Sequence, residues 1–385
     1  MVNRFYGLEI NTLIFSNMRE SMKHILQVPA HLFTGGVEKV AKDIGMYADR
    51  DKYQVDYIVF DKEKGDYEPD LLAHGCRVFR LQEPSYDYGK FIRELTQIMS
   101  ETQYDIVHAH TMFNIGWIMM VAKRMGIPVR VAHAHSALKN NKGLKKKCYE
   151  LVMRHLIIKY ATDFVACGEK AGIRLYGERI YKQKGNLILN GIDIGSFRFN
   201  SANRNKIRSQ LEIKNRFVIG HAGHLAAVKN QKYLIELMPE ILKQRPDAIL
   251  LLLGDGSDKQ MLKDLIGKKK LQNYVIMTGN VSNVHEYLSA MDVFAFPSLF
   301  EGMPLSILEA QANGLPCILS TGVPKDVRLT DLVVPLKLND KTTWINMICK
   351  AKRAYPEKYS EILYQLGVDV NSAMKKIYAI YERTI

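Results

Sequence analysis

The chain has 385 residues, which is too long for one hydrophobic core of ordinary size and predicts two domains. Its hydrophobic content of 47% excludes a largely disordered chain. A formal net charge of +14 permits an anionic partner, and nucleic acid, anionic lipid and sugar diphosphates all qualify. No apolar run approaches the ~18 residues of a membrane span, so no transmembrane helix is predicted.

The thiols and the N-terminus indicate a cytoplasmic protein. The odd number of cysteines and the lack of a C-x-x-C pattern predict reduced thiols. The cysteines are Cys76, Cys148, Cys167, Cys317 and Cys349. Residues 1–21 lack a convincing signal peptide, and two interpretations stay open for them: an N-terminal extension, or a start codon assigned too early.

Strands and helices alternate along the whole chain. In the first half, strands are predicted at 23–28, 54–60, 77–81, 105–110, 129–135 and 163–167, with helices such as 37–48 and 91–100. In the second half, strands are predicted at 216–220, 248–253, 274–278, 293–296 and 316–320, with final helices at 358–366 and 369–383. This alternation predicts an α/β protein of doubly wound parallel sheets with helices on both faces.

A stretch rich in Gly, Ser and Asn, residues 193–216, resembles a linker and predicts a division between two Rossmann-like domains. We place the N-terminal domain at 22–195 and the C-terminal domain at 196–360. In such folds ligands bind at the carboxyl ends of the strands, in a crevice between the domains.

A strand, a turn and a helix carry two glutamates in the run from Phe296 to Ala310. Glu301 follows the apolar strand 293–296, and Glu309 lies inside a helix that Pro304 is expected to open at its first position. Backbone N–H groups at the start of that helix can face an anion. Two carboxylates around an anion-binding turn suit a sugar nucleotide.

Further motifs occur in a fixed order. They are Gly35-Gly36-Val37-Glu38, Asn190-Gly191-Ile192-Asp193, Gly220-His221-Ala222-Gly223 with Val228-Lys229-Asn230, Gly254-Asp255-Gly256, and the segment from Phe296 to Ser320. Together they resemble glycosyltransferase family 4, in particular the branch that builds capsular polysaccharide and exopolysaccharide. The resemblance covers about residues 23–340.

The resemblance implies a retaining enzyme with the GT-B fold, in which two Rossmann-like domains face a cleft and residues 361–385 cross back to the N-terminal domain. It implies transfer from a nucleotide sugar, expected to be UDP-linked, to a lipid-linked oligosaccharide. No cofactor and no metal is expected, because basic residues and a helix N-terminus would stabilise the leaving diphosphate. The motif Asp49-Arg50-Asp51 is interpreted as a polar loop.

By the same resemblance, the donor site takes its residues from the glycine loops and the glutamate segment. Glu301 would hold the donor sugar, Glu309 the ribose, and Lys229 the diphosphate. The family usually has Arg where His224 stands, and His is a weaker, pH-dependent cation without a bidentate fork. The remaining donor-binding residues are Gly223, Gly254, Gly256, Gly302, Met303, Pro304 and Leu305.

Two further features are assigned to the reacting end of the donor. Gly35 and Gly36 allow a phosphate or the reacting sugar to approach the backbone, although a plain turn explains them equally well. His135 matches a histidine that contacts the donor sugar in the family; the alternative is a buried structural histidine. The pairs His108-Ala109-His110 and His133-Ala134-His135 put imidazoles on one strand face, and we predict that they bind no metal.

A basic, partly amphipathic helix follows these histidines. Lys142, Lys145, Lys146 and Lys147 precede apolar residues from Leu151 onward. Such a helix suits the anionic inner face of a cell membrane, and a solvated face above a core-facing stripe fits equally well. The first interpretation predicts a cytoplasmic protein bound peripherally to the membrane.

Two other functions stay open. A sugar-nucleotide epimerase of the same fold would need no acceptor, but the two glutamates weigh against it. A nucleic-acid-binding protein would exploit the positive charge, but the aromatic residues do not interleave with the lysines as stacking platforms do. We therefore expect no nucleic-acid partner.

Overall fold

The computed structural model describes residues 22–136, 143–353 and 356–383. Its first part alternates strands and helices as predicted. These elements are β1 (Lys23–Ala30), α1 (Gly36–Met46), β2 (Tyr53–Val59), α2 (Glu68–Ala73), β3 (Arg77–Arg80), α3 (Tyr88–Glu101), β4 (Ile106–Ala109), α4 (Ile115–Arg124), β5 (Val129–Ala134), α5 (Leu144–Tyr160), β6 (Asp163–Ala166), α6 (Glu169–Tyr176), α7 (Glu178–Lys184) and β7 (Gly185–Leu187).

The second part continues the alternation and ends in helices. Its elements are α8 (Ile194–Phe197), α9 (Ser201–Gln210), β8 (Phe217–Ala222), α10 (Gln231–Gln244), β9 (Ala248–Leu253), α11 (Lys259–Lys268), β10 (Val275–Gly279), α12 (Val284–Ala290), β11 (Val293–Phe296), α13 (Leu305–Ala312), β12 (Cys317–Ser320), β13 (Val333–Leu336), α14 (Lys341–Lys350), α15 (Pro356–Gln365) and α16 (Val370–Arg383).

Two parallel sheets organise the chain. The first has the strand order β3-β2-β1-β4-β5-β6-β7 and the second β10-β9-β8-β11-β12-β13. In each sheet the winding reverses beside the first strand, at β1/β4 and at β8/β11. Ligands of doubly wound sheets bind at the carboxyl ends of the strands at such a switch point. The predicted α/β, doubly wound fold class is confirmed.

Contacts between Cα atoms divide the chain into two units. One contains residues 22–132, 151–163 and Arg383, and the other contains 133–150 and 164–382. This division passes through β5 and α5, so it follows neither predicted domain boundary. The boundaries at residues 195 and 360, and the crossing of the last helices, stay predictions.

In the second unit, a large hydrophobic cluster packs α10 and α14 against the sheet. Trp344 of α14 is fully buried, and its ring meets Tyr233 of α10 edge-on at 5.4 Å. The strand β9, with the sequence AILLLL, is buried along its whole length. A strand that is apolar on both sides needs cover on both faces, and helices supply it.

The predicted linker at 193–216 is wrong in its secondary structure, because it contains the helices α8 and α9. Asp193 and Asn200 accept N-cap hydrogen bonds from Ser196 and Asn203. Asn and Asp favour both loops and N-caps, so composition alone does not separate the two.

Helix α9 is fastened to the start of β11. Arg204 and Arg208 each donate to the Asp292 carboxylate at 2.6 Å. The half-buried Arg353 donates to the carbonyls of Met291 and Asn313 nearby. Burial lowers the pKa of Arg353 to about 9, which still leaves a cation at neutral pH. This segment is therefore packed into the second unit.

Two strands were missed from the sequence, β7 and β13, and both are edge strands. β7 has only three residues and begins with Gly185 and Asn186, which favour turns. β13 contains Pro335, a residue confined to sheet edges because it has no N–H to donate.

Candidate functional site

The loop between β11 and α13 carries Glu301, and it brings that carboxylate to Lys229. The Lys229 ammonium donates to both carboxylate oxygens, at 2.8 Å and 3.0 Å. The two side chains are mostly buried, with exposed fractions of 20% for Lys229 and 10% for Glu301. Two residues 72 positions apart are thus joined at the β8/β11 switch point.

Lys229 lies in the loop after β8, and aromatic and polar contacts hold that loop. The ammonium is 5.1 Å from the centre of the Phe296 ring, in cation–π contact. Asn230, whose backbone is left-handed, donates from its side chain to the Pro297 carbonyl at 3.2 Å. These contacts therefore hold the loop after β8 that carries Lys229 (the lysine loop) against the loop that carries Glu301.

Gly254 and Gly256 are required by a close approach of two loops. A Cβ on Gly254 would lie 2.3 Å from the Gly223 carbonyl oxygen. A Cβ on Gly256 would lie 2.3 Å from the Leu225 carbonyl oxygen and 2.8 Å from the His224 ring. These glycines are predicted to let a ligand approach the backbone, but in the structure they let another backbone segment of the protein approach. This close packing places His224 beside Gly256.

His221 belongs to one of the motifs described above, but the sequence did not indicate a function for it. Its ring is fully buried, Nδ1 donates to the Ala295 carbonyl at 3.0 Å, and Nε2 accepts from the Gln231 amide at 3.2 Å. Gln231 also donates to the His224 carbonyl at 3.0 Å. The pKa of His221 is lowered to about 4, chiefly by burial; the hydrogen bond to Ala295 opposes this shift and the nearby charge of Lys229 adds to it. A neutral imidazole therefore anchors the lysine loop.

The turn that leads into α13 packs against residues after β5. A Cβ on Gly302 would lie 2.6 Å from the His135 carbonyl oxygen, so only glycine fits there without movement. The buried Met303 places its sulfur 3.3 Å from the Asn190 nitrogen. Pro304 is the N-cap and not the first helical residue, because α13 begins at Leu305; its predicted position is wrong by one residue.

His135 is buried, and its ring centre lies 4.0 Å from that of His133. Burial lowers the pKa of His135 to about 3, so the imidazole is neutral at physiological pH. Its carbonyl accepts from the Cys167 thiol at 3.6 Å. Glu309 is half-buried at the fifth position of α13, outside the pair of Lys229 and Glu301.

The first unit contains the other predicted loop. Gly35 caps α1 and Gly36 begins it, and a Cβ on Gly36 would meet no atom within 4 Å. A Cβ on Gly35 would instead meet the Glu38 carboxylate, whose pKa is raised by burial. His108 and His110 stack with ring centres 4.4 Å apart, and His110 bonds Gln27 at 2.9 Å. The expected alignment of this pair on one strand face is confirmed.

The predicted membrane-facing lysines lie at the start of α5. Lys145, Lys146 and Lys147 are exposed there, whereas Lys142 lies outside the described residues. Within the part of the chain that the structure describes, no helix is both long and apolar enough to cross a bilayer.

Comparisons with known proteins identify the family. Residues 34–196 match the family model "Glycosyltransferase Family 4", and residues 203–327 match "Glycosyl transferases group 1". The Bacillus subtilis protein named "Putative glycosyltransferase EpsF" is 31% identical over 376 residues, which cover 94% of this chain and 97% of EpsF. The chain belongs to glycosyltransferase family 4.

Two further relatives are informative about this glycosyltransferase. It is 33% identical over 245 residues to the "UDP-Gal:alpha-D-GlcNAc-diphosphoundecaprenol alpha-1,3-galactosyltransferase" of Escherichia coli, covering 60% of this chain and 61% of that enzyme. The crystal structure of Anabaena HepE with UDP-glucose superposes with a TM-score of 0.76 at 22% identity, covering 92% and 98% of the two chains. The shared fold is GT-B, as the resemblance implied. Family membership favours sugar transfer over the epimerase and the nucleic-acid-binding alternatives.

Proposed function

We propose that the glycosyltransferase moves a sugar from a UDP-sugar to a lipid-linked oligosaccharide, with retention at the anomeric carbon, in capsule or exopolysaccharide synthesis. The observation that carries the donor site is the buried pair of Lys229 and Glu301 at the β8/β11 switch point. The E. coli relative acts on a UDP-sugar and a diphosphoundecaprenol-linked sugar by its name, and HepE was crystallised with UDP-glucose. The polysaccharide setting follows the branch that the motifs resemble.

In this proposal Lys229 stabilises the charge that develops on the diphosphate. The acceptor hydroxyl attacks the anomeric carbon on the face that the phosphate leaves, and the C–O bond to the phosphate breaks. The acceptor proton passes to the leaving phosphate oxygen, so no protein base is required. A lysine and backbone amides in a buried turn supply fixed positive charge without reorganisation.

Glu301 would bind hydroxyls of the donor sugar once Lys229 turns to the diphosphate. Glu309, the fifth residue of α13, would bind the ribose. His135 would act as a neutral hydrogen-bonding group near the anomeric carbon, since burial keeps its pKa low. His224 would contribute less charge to the phosphates than the arginine usual in the family.

We also propose that the reaction needs no metal and that α5 binds an anionic membrane surface. Leu144, Leu151 and Val152 are exposed on α5, with exposed fractions of 78%, 61% and 54%, beside the lysines at 145–147. Met153 and Ile157 of the same helix are buried. An apolar stripe that faces solvent among lysines suits the boundary between lipid headgroups and acyl chains.

The test is a Glu301→Ala variant. UDP release from UDP-glucose, UDP-galactose and UDP-N-acetylglucosamine is measured without acceptor, and transfer is measured with undecaprenyl-diphosphate-linked sugars. Loss of a charged hydrogen-bond partner should lower turnover on the order of 10²-fold, with little change in Tm. Wild-type turnover with EDTA present should be unchanged.

A matched control is Glu286→Ala, since Glu286 also forms an ion pair at 2.8 Å, with Lys206, and is 14% exposed. That variant should keep its turnover. Unchanged turnover of Glu301→Ala would refute the donor role. Loss of activity with EDTA and its return with a divalent metal would refute metal independence. In that case the buried histidines of the two His-Ala-His motifs would be candidate ligands.

A further inference from the structure

Ser298 lies three residues before Glu301 and is fully buried. Its hydroxyl oxygen is 2.5 Å from Glu301 Oε1, 2.8 Å from the Val228 carbonyl oxygen and 3.2 Å from the Phe300 carbonyl oxygen. All three neighbours are hydrogen-bond acceptors, whereas a hydroxyl has one proton to donate.

The shortest of these contacts identifies where the proton goes. A hydroxyl bonded to a carboxylate is typically 2.5–2.7 Å from it, which is shorter than a bond to a neutral carbonyl. The Val228 carbonyl already accepts from the Leu299 backbone N–H at 2.8 Å, so it does not depend on Ser298. The hydroxyl therefore donates to Glu301.

The backbone around Ser298 is held in several places. Ser320 donates its hydroxyl to the Ser298 carbonyl, and Asn230 donates to the Pro297 carbonyl. A Cβ on Gly322 would lie 2.3 Å from the Leu299 carbonyl oxygen, which shows how closely the next loop approaches. A donor on a rigid backbone can hold a carboxylate in one orientation.

The two carboxylate oxygens of Glu301 have different surroundings. Oε1 accepts from Ser298 and from Lys229, whereas Oε2 accepts from Lys229 at 3.0 Å. When Lys229 moves to a diphosphate, Oε1 keeps the serine and Oε2 becomes available to a sugar hydroxyl.

We propose that Ser298 is a positioning residue, which keeps the Glu301 carboxylate aimed at the donor sugar after Lys229 has left it. The proposal rests on the proposed role of Glu301. It predicts that Ser298 affects recognition of the sugar and leaves recognition of the nucleotide unchanged, because UDP offers Glu301 no sugar hydroxyl.

The experiment measures Kd by calorimetry for UDP and for UDP-glucose, UDP-galactose and UDP-N-acetylglucosamine. It compares wild type, Ser298→Ala, Glu301→Ala and the double variant. For the best-bound UDP-sugar, Ser298→Ala should weaken binding relative to UDP by roughly tenfold. Glu301→Ala should weaken it at least as much, and the double variant no further, because the serine acts through the glutamate.

Ser360→Ala is the matched control. Ser360 is also fully buried and donates one bond to a carbonyl, that of Ala312 at 3.1 Å, in another part of the second unit. It should keep the wild-type ratio of UDP-sugar affinity to UDP affinity. The Tm and the Kd for UDP of each variant show whether folding or nucleotide binding is impaired in general.

The outcomes separate the two claims. A wild-type ratio in Glu301→Ala refutes the proposed role of Glu301 itself. A lowered ratio in Glu301→Ala with a wild-type ratio in Ser298→Ala refutes the inference alone, as does an additive loss in the double variant. If Ser298→Ala does not fold, Ser298→Cys replaces the hydroxyl by a weaker donor, and a wild-type ratio there refutes the inference.

Discussion

His221 shows how one buried side chain links stability to pH. Its ring stacks on the Phe296 ring, with the two ring centres 5.0 Å apart. Its two nitrogens form hydrogen bonds with the Ala295 carbonyl and the Gln231 amide. A proton on Nε2 would convert the acceptor of the Gln231 bond into a second donor, in a site without solvent. The lysine loop therefore depends on the neutral ring.

We predict that acid weakens the fold through His221. The unfolded imidazole takes up its proton as the pH falls below its usual pKa of about 6.5, whereas the folded one stays neutral down to about 4. Its contribution is therefore present above pH 6.5 and is lost as the pH falls toward 4. Between pH 7 and pH 5 the free energy of unfolding should fall by about 2 kcal/mol from this residue.

Urea unfolding of wild type and His221→Asn at both pH values checks this expectation. At pH 7 the variant reports the cost of the lost hydrogen bonds, because both imidazole states are then neutral. At pH 5 the difference between the two proteins should shrink by about 2 kcal/mol. An equal pH dependence in both proteins would contradict the prediction.

At the scale of elements, the turn between β11 and α13 combines rigidity with close packing. Ser298 and Glu301 are hydrogen-bonded to each other in this turn, and Gly302 and Met303 pack against His135 and Asn190. The start of α13 is thus fixed from two sides before any ligand binds. Backbone amides that are held in this way can serve as preorganised anion ligands.

Gly302→Ala should disturb this turn. Its Cβ would stand 2.6 Å from a backbone oxygen of His135, so one of the two segments must shift. Overpacking of this kind costs about 1–3 kcal/mol, and we expect at least a tenfold loss of UDP-sugar hydrolysis with a modest fall in Tm.

Gly267→Ala is the control for this substitution. Gly267 lies in α11, where an added Cβ meets nothing within 4 Å, so the change should leave hydrolysis intact and raise stability slightly. Equal activity of both alanine variants would show that the approach of Gly302 to His135 is unimportant.

At the scale of the whole molecule, part of the net charge of +14 lies in the exposed lysines 145–147 of α5, where it could face a membrane. On α5, Leu144, Cys148 and Leu151 follow each other at helical spacing and are exposed, and the three lysines 145–147 lie between the first two. A lipid-linked acceptor is confined to the bilayer surface, so an enzyme held there meets it more often.

We predict that this surface binds anionic vesicles. The triple variant Lys145→Glu, Lys146→Glu, Lys147→Glu should lose at least tenfold in affinity for phosphatidylserine vesicles, since each lysine contributes about 1 kcal/mol. Sedimentation with vesicles measures this, and binding of wild type should weaken strongly at about 0.5 M NaCl.

A second triple variant carries the same change in charge elsewhere. Lys263, Lys268 and Lys270 are exposed on or just after α11, and their replacement by Glu also lowers the net charge by six. It should keep most of the vesicle affinity. Equal losses in both triple variants would show that overall charge, and not α5, governs binding.

Much of this architecture could be predicted from local patterns. Apolar runs such as 248–253 and 293–296 coincide with β9 and β11, because buried parallel strands are apolar throughout. The edge strands β7 and β13 and the helices in 193–216 could not be predicted, because Gly, Pro and Asn favour several local structures and tertiary context selects among them.

The sequence by itself determined the alternation of strands and helices, the family, and the loops that carry the candidate donor residues, because each depends on residues that are near one another in the chain. Tertiary structure alone decided that Lys229 pairs with Glu301, that Ser298 donates to the same carboxylate, and that His221 is neutral. Hydrogen bonds and pKa values depend on burial and on partners up to 74 positions away, and only folding brings these together.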